Sequence, residues 1–107
     1  MDYPILKPAV SRDASGRLSV DVFDVPLNLY PKICQEIAVA FNLESNGKLV
    51  TNAVDIAYND FISPLGPVQI AWDNWSGFTV TAMSQESEPI IERIYDWFAS
   101  WEISHDG

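Results

Sequence analysis

Histidine and cysteine each occur once in this chain of 107 residues, as His105 and Cys34. A single cysteine excludes an internal disulfide. His105 is one of the last three residues, where chains usually fray, so a Cys/His nucleophile pair is not expected. The adjacent His105-Asp106 pair falls short of a metal site, which needs three or four converging ligands. The five glycines form no phosphate-cradling pattern, so no nucleotide cofactor is implied, and no other cofactor is.

Basic residues are also scarce, six against fifteen acidic ones, for a formal net charge of -9. Nucleic acid demands a basic footprint and anionic membrane demands basic clusters, so neither is an expected partner. No basic stretch leads into an apolar run, and no apolar run approaches the length of a membrane span. No leader and a reducing cytoplasm are therefore expected.

The apolar share is 48 % and thirteen residues are aromatic, enough for one packed domain over residues 1–107. The charge is unevenly placed. Residues 54–107 hold nine acids and one base, Arg93, whereas residues 1–53 are nearly balanced. That asymmetry favours a basic partner, although acidity also serves solubility alone.

Pro4 and Pro8 make the first nine residues an extended edge segment at most. Asp13-Ala14-Ser15-Gly16 reads as a turn. Leu18, Val20 and Val22 alternate with Ser19, Asp21 and Phe23, which predicts a strand from about Arg17 to Val25. A helix follows, with Asn28 as N-cap and Pro31 in its first turn. Its buried stripe is Tyr30, Ile33, Cys34, Ile37, Ala40 and Phe41, and Ser45-Asn46-Gly47 ends it. On that stripe Cys34 reads as a small buried hydrophobe.

Three further strands are predicted, with Val54, Ile56 and Tyr58, then Val68, Ile70 and Trp72, then Phe78, Val80 and Ala82 on their apolar faces. The last two are joined as a hairpin through Asp73-Asn74-Trp75-Ser76-Gly77. A second helix starts at Ser87, with Glu88 and Pro89 leading. Ile90, Ile94, Trp97, Phe98 and Trp101 form its stripe, flanked by Ile91 and Tyr95. The expected class is α+β, in the order β-α-β-β-β-α. It has a single antiparallel sheet of about four strands and two helices on one face. The other face is then open and carries Ser19, Asp21, Asp55, Asn59, Gln69, Asp73, Thr79 and Thr81.

Asp21, Asp55 and Asp73 are the candidates for acid–base or divalent-cation chemistry, and on a solvated face they read instead as surface charge. Trp97, Trp101 and Trp72 read as core. Trp75, in the hairpin loop, either folds over the core edge or stands exposed as an interface anchor. The partner-binding residues expected are Asp55, Asn59, Gln69, Asp73 and Trp75.

The segment Trp72-Asp73-Asn74-Trp75-Ser76-Gly77-Phe78, a strand, and then Ser84-Gln85-Glu86-Ser87 opening an aromatic-rich helix resemble small acidic bacterial immunity-type proteins. These neutralise a toxin by binding it. The resemblance spans about residues 54–101. It carries over no individual binding residues, because such proteins share a task rather than one motif. It implies a non-catalytic inhibitor whose acidic face covers a basic toxin domain. The alternatives are a small hydrolase or metal-dependent enzyme using the open-face carboxylates, and a structural or adaptor subunit that dimerises through a sheet edge.

Overall fold

The computed structural model describes residues 8–23, 25–47, 50–51 and 56–104, with residues 50–51 and 101–104 as backbone only. The strands are β1 (Pro8–Arg12), β2 (Leu18–Val22), β3 (Glu44–Ser45), β4 (Val50–Thr51), β5 (Ile56–Ser63), β6 (Gly66–Asp73) and β7 (Gly77–Ala82). The helices are α1 (Tyr30–Phe41), between β2 and β3, and α2 (Glu88–Ser104), after β7. Each is entered through a single 3-10 turn, Leu27–Leu29 or Gln85–Ser87. No helix among the described residues is long and apolar enough to cross a membrane.

The α+β class, the single antiparallel sheet and the two helices are as expected. The strand count and the order β-α-β-β-β-α are not, for the described elements run β-β-α-β-β-β-β-β-α. Among the described residues the sheet has seven strands, six in the order β1-β2-β7-β6-β5-β3 and β4, which also pairs with β5. Because β6 occupies one side of β5 along its whole length, β3 and β4 share the other side. The seven strands thus fill six positions, not about four. Two-residue strands such as β3 and β4 are too short to carry a period of two. The edge strand β1 was hidden by its proline. Pro8 occupies the first strand position, where a missing N–H is tolerated.

The core lies between one sheet face and the two helices. β2 contributes Leu18, Val20 and Val22, β6 Val68, Ile70 and Trp72, and β7 Phe78, Val80 and Ala82, all buried. From α1 come Tyr30, Ile33, Cys34 and Ile37, and from α2 Ile90, Ile91, Ile94 and Phe98. Phe78 links the two helices. Its ring centroid lies 5.7 Å from that of Tyr30 and 5.9 Å from that of Phe98, the latter edge-on. Trp97 and Phe41 are only partly buried against this cluster, Ala40 is exposed, and the side chain of Trp101 falls outside the described residues.

Two helix ends depart from the sequence reading. α1 stops at Asn42, before Ser45-Asn46-Gly47. Asn42 adopts a left-handed conformation with φ 56°, and the Leu43 N–H donates to the Ala38 carbonyl at 2.9 Å. This is a Schellman closure, and asparagine is the side-chain-bearing residue best suited to it. At the other end of α1 the 3-10 turn displaces Asn28 from the cap position, while Pro31 does fall in the first turn. For α2 the cap is shared. The Ser84 N–H donates to Ser87 Oγ at 3.3 Å, and the buried Ser87 hydroxyl lies 2.8 Å from the Pro67 carbonyl, tying the helix start to β6.

The largest correction concerns β5. Its apolar residues Ile56 and Tyr58 were expected to face the helices; instead Ala57, Asn59, Phe61 and Ser63 do. The turn Pro64-Leu65 joins Ser63 to Gly66 and sets Phe61 opposite Val68, Asn59 opposite Ile70 and Ala57 opposite Trp72. Cross-strand partners share a face, so the three apolar residues of β6 carry these β5 residues inward. Asn59 is accommodated there by Tyr30, whose hydroxyl lies 2.8 Å from the Ile70 carbonyl and 3.1 Å from Asn59 Oδ1.

Phe98 is fully buried and touches both Phe78 and Trp97. Phe98→Ala is expected to cost about 3–5 kcal/mol in urea denaturation, the range for an aromatic cavity. Burial pushes the Cys34 thiol up to about 12. The unfolded thiol ionises near pH 8.5, so the folded state binds the proton more tightly. This contribution to stability is complete below that pH and is lost as pH rises toward the folded value. The native chain at pH 8 is expected to react with an aromatic disulfide reagent only at its unfolding rate. Labelling at the rate of a free thiol would contradict the burial.

Candidate partner-binding surface

The sheet face away from the helices is built by the alternate residues of β1, β2, β7, β6 and β5. One row across it runs Ser11, Ser19, Thr81, Gln69, Asp60, and the next runs Ala9, Asp21, Thr79, Ala71, Tyr58. The rows are tied by side chains. The Thr81 hydroxyl donates to Ser19 Oγ at 3.2 Å, Ser19 donates to Asp21 Oδ1 at 3.4 Å, and Ser11 donates to Asp21 Oδ2 at 2.8 Å. On the far side the Gln69 amide donates to Asp60 Oδ1 at 3.0 Å. Small hydroxyls hold the centre, and each flank carries a carboxylate already engaged by neighbours.

At one end of this face stands the β6–β7 hairpin. Asp73 shapes it: its Oδ1 accepts the backbone N–H of Trp75 at 2.8 Å and of Ser76 at 2.6 Å. Gly77 closes the loop with φ +71°, and a Cβ there would meet the Phe23 Cα at 2.7 Å. Only glycine satisfies both demands. The tryptophans flanking Asp73 have opposite fates. Trp72 is 9 % exposed, and its Nε1 donates to the Val25 carbonyl at 2.7 Å. Trp75 is 76 % exposed, so of the two readings open from sequence the exposed one holds.

The expected site residues therefore separate. Gln69 lies on the open face, and Asp73 and Trp75 lie at its hairpin end. Asn59 is on the opposite face, under α1, for the register reason given above. Asp55 falls outside the described residues. Two residues that the sequence reading left out join the hairpin end. Phe23, 65 % exposed, follows β2 directly and backs onto Gly77, and Ile56, 43 % exposed, pairs with Asp73. The signal for Phe23 was present, since a phenylalanine at the outward parity of an alternating strand has no core to enter. For Ile56 no signal existed until the parity of β5 was known.

The acidic second half does not form one face. Asp60 and Asp73 belong to the open side of the sheet, where Asp21 from the first half joins them. Glu88, Glu92 and Asp96 ride on α2, which packs on the other side. The negative field accordingly wraps the molecule instead of concentrating behind Trp75. Among the described residues no three His, Cys, Asp or Glu side chains converge as metal ligands. Comparison with protein-family models, with curated proteins and with solved structures gives no match.

The two hairpin residues should separate in a stability measurement. Asp73→Ala removes the acceptor for two backbone donors and is expected to cost about 1 kcal/mol or more. Trp75→Ala removes a side chain in solvent and is expected to stay within about 0.5 kcal/mol of the unsubstituted chain in urea denaturation.

Proposed function

We propose that this chain is a non-catalytic protein-binding module, an immunity-type inhibitor that binds and neutralises a basic partner toxin. The observation that carries the reading is Trp75, 76 % exposed on a hairpin whose backbone is held by Asp73 and Gly77. Leaving a large aromatic ring in water on a braced loop forgoes stability, and interfaces use such rings as anchors that are buried on binding. Phe23 and Ile56 add exposed apolar area at the same end of the sheet, Asp73 supplies charge at the base of the loop, and Asp60 lies two rows farther along the open face. A net charge of -9 raises the encounter rate with a basic partner at low salt.

The open-face carboxylates favour binding over acid–base chemistry. Asp21, Asp60 and Asp73 each accept hydrogen bonds from neighbours in the ground state. The partner is expected to be a protein, with no nucleic acid and no membrane in the complex, and the encounter to occur in the cytoplasm.

The test is affinity capture from the source cell, identification of the bound protein by mass spectrometry, and kinetics with purified components. Trp75→Ala is expected to speed dissociation about tenfold or more, the scale of an anchor worth over 1 kcal/mol. Asp60→Lys is expected chiefly to slow association, in a salt-dependent manner. Asp60 is the cleaner steering probe, because Asp73 also shapes the loop. Loss of toxicity on co-expression of the chain with that partner completes the case. An identified partner bound with equal kinetics by both variants, or bound independently of salt, would remove the surface assignment.

A further inference from the structure

Among the described residues the basic side chains are Arg12, Arg17, Lys32 and Arg93. In a chain this acidic, two of the four line one cleft. It lies at the opposite end of the strands from Trp75, between the β1–β2 turn and the start of α2, and has a volume of about 440 Å³. Arg12 and Glu88 form one wall. The guanidinium grips the carboxylate through two nitrogens, at 2.8 and 3.3 Å, and also donates to the Gly16 carbonyl at 2.8 Å. The Glu88 hydrogen bond raises the Arg12 pKa, and the Arg12 hydrogen bond lowers that of Glu88, so the pair stays charged and mutually neutralised.

Arg17, from the turn wall, is different. Its guanidinium has no hydrogen-bond or ion-pair partner among the described residues. The other side-chain donors lining the cleft are the Ser15 hydroxyl in the same turn and, on the wall that follows β7, the Gln85 amide and the Ser84 hydroxyl, which also lies 3.3 Å from Ser87 Oγ. With Arg12 cancelled by Glu88, the residues lining the cleft carry a net of one positive charge, and the Asp13 carboxylate, outside the lining, is engaged by the Ser15 and Arg17 backbone N–H groups at 2.9 Å. Arg17 and Ser15 belong to the β1–β2 turn, and Ser84 and Gln85 to the segment that leads from β7 into α2. A carboxylate is satisfied by one coplanar guanidinium, whereas a tetrahedral oxyanion takes donors from several directions.

We propose that this cleft is a binding site for a phosphate-type oxyanion, held by Arg17 with the Ser15 and Ser84 hydroxyls, against a wall that Arg12 and Glu88 keep rigid. The anion is either free inorganic phosphate or a phosphoryl group carried on a small ester, which present the same oxygens. The site is independent of the partner surface around Trp75.

The test is a backbone-amide NMR titration of the full chain with sodium phosphate, at constant ionic strength against sodium chloride. Parallel arms use O-phosphoserine and acetate. Saturable shifts are expected at Ser15, Gly16, Arg17 and Ser84, with phosphate and phosphoserine arms telling the free ion from the ester. Arg17→Gln is expected to weaken the binding about tenfold, the scale of one charge-assisted contact. Arg17 is exposed, so the variant should keep its dispersed spectrum. Ser15→Ala is a second variant on the same wall, expected to weaken binding by a smaller factor. Shifts that merely drift linearly as with chloride, or an Arg17→Gln variant that titrates like the unsubstituted chain, would overturn the site. Acetate binding as tightly as phosphate would overturn the assignment of its ligand class.

Discussion

Every outward feature of this molecule is positioned by the face that β6 turns toward the helices. Val68, Ile70 and Trp72 leave β6 one choice of side, because exposing all three would forfeit several kcal/mol of apolar burial. β6 pairs along its full length with β5 and from Val68 to Asp73 with β7, so its choice is transmitted to both neighbours residue by residue. In β7 the transmission agrees with local pattern, since Phe78, Val80 and Ala82 already want the same side. In β5 it overrules local pattern, turning Ile56, Tyr58 and Ile62 outward and drawing Asn59 under α1. The chain accepts this because Phe61 gains a buried place and Tyr30 supplies Asn59 with a polar neighbour.

The helices meet that sheet through aromatic rings near its middle. Phe78 is the common point, touching Tyr30 of α1 and Phe98 of α2, while Trp97 stacks edge-on to Phe98 at 5.0 Å. Tyr30 is both packing and polar closure. Its ring is buried, its hydroxyl reaches the Ile70 carbonyl, and burial holds its phenol far above the ordinary value. The starts of the helices are tied to the sheet by hydrogen bonds, Ser87 to the Pro67 carbonyl for α2 and Trp72 to the Val25 carbonyl just ahead of α1. These bonds tether the covered face to its two lids, and the uncovered face is left with a lattice of short hydroxyl and carboxylate contacts.

That division accounts for the character of the surface. The open face is polar and internally satisfied, so it offers little free energy to a partner by itself. The apolar area lies at its hairpin end, where Trp75, Phe23 and Ile56 come from three different strands or loops. A tight loop built on Asp73 and Gly77 holds the tryptophan backbone in one arrangement, which lowers the ordering cost of using it as a contact. At the other end of the strands Arg17 gives this acidic molecule a basic charge in a concave setting.

Much of the local structure was legible without coordinates. The strands around Val20, Ile70 and Val80, the hairpin through Trp75, Pro31 in the first turn of α1 and the burial of Ile90, Ile94 and Phe98 on α2 all follow from period, turn chemistry and capping, which act within a few residues. Composition likewise set the acidity. The tertiary structure alone decided the rest. Pairing with β2 was needed to reveal β1, which opens on a proline, and pairing with β5 to reveal β3 and β4, because strands of two residues hold too few alternations to register. The side on which Asn59 falls, the company of Phe23 and Ile56 beside Trp75, and the scattering of the second-half acids over two faces depend on which strand lies next to which. Sequence period can say that a strand has two faces. Only a hydrogen-bonded neighbour with a stronger apolar side can say which face is in, because a shift of one residue inverts them all.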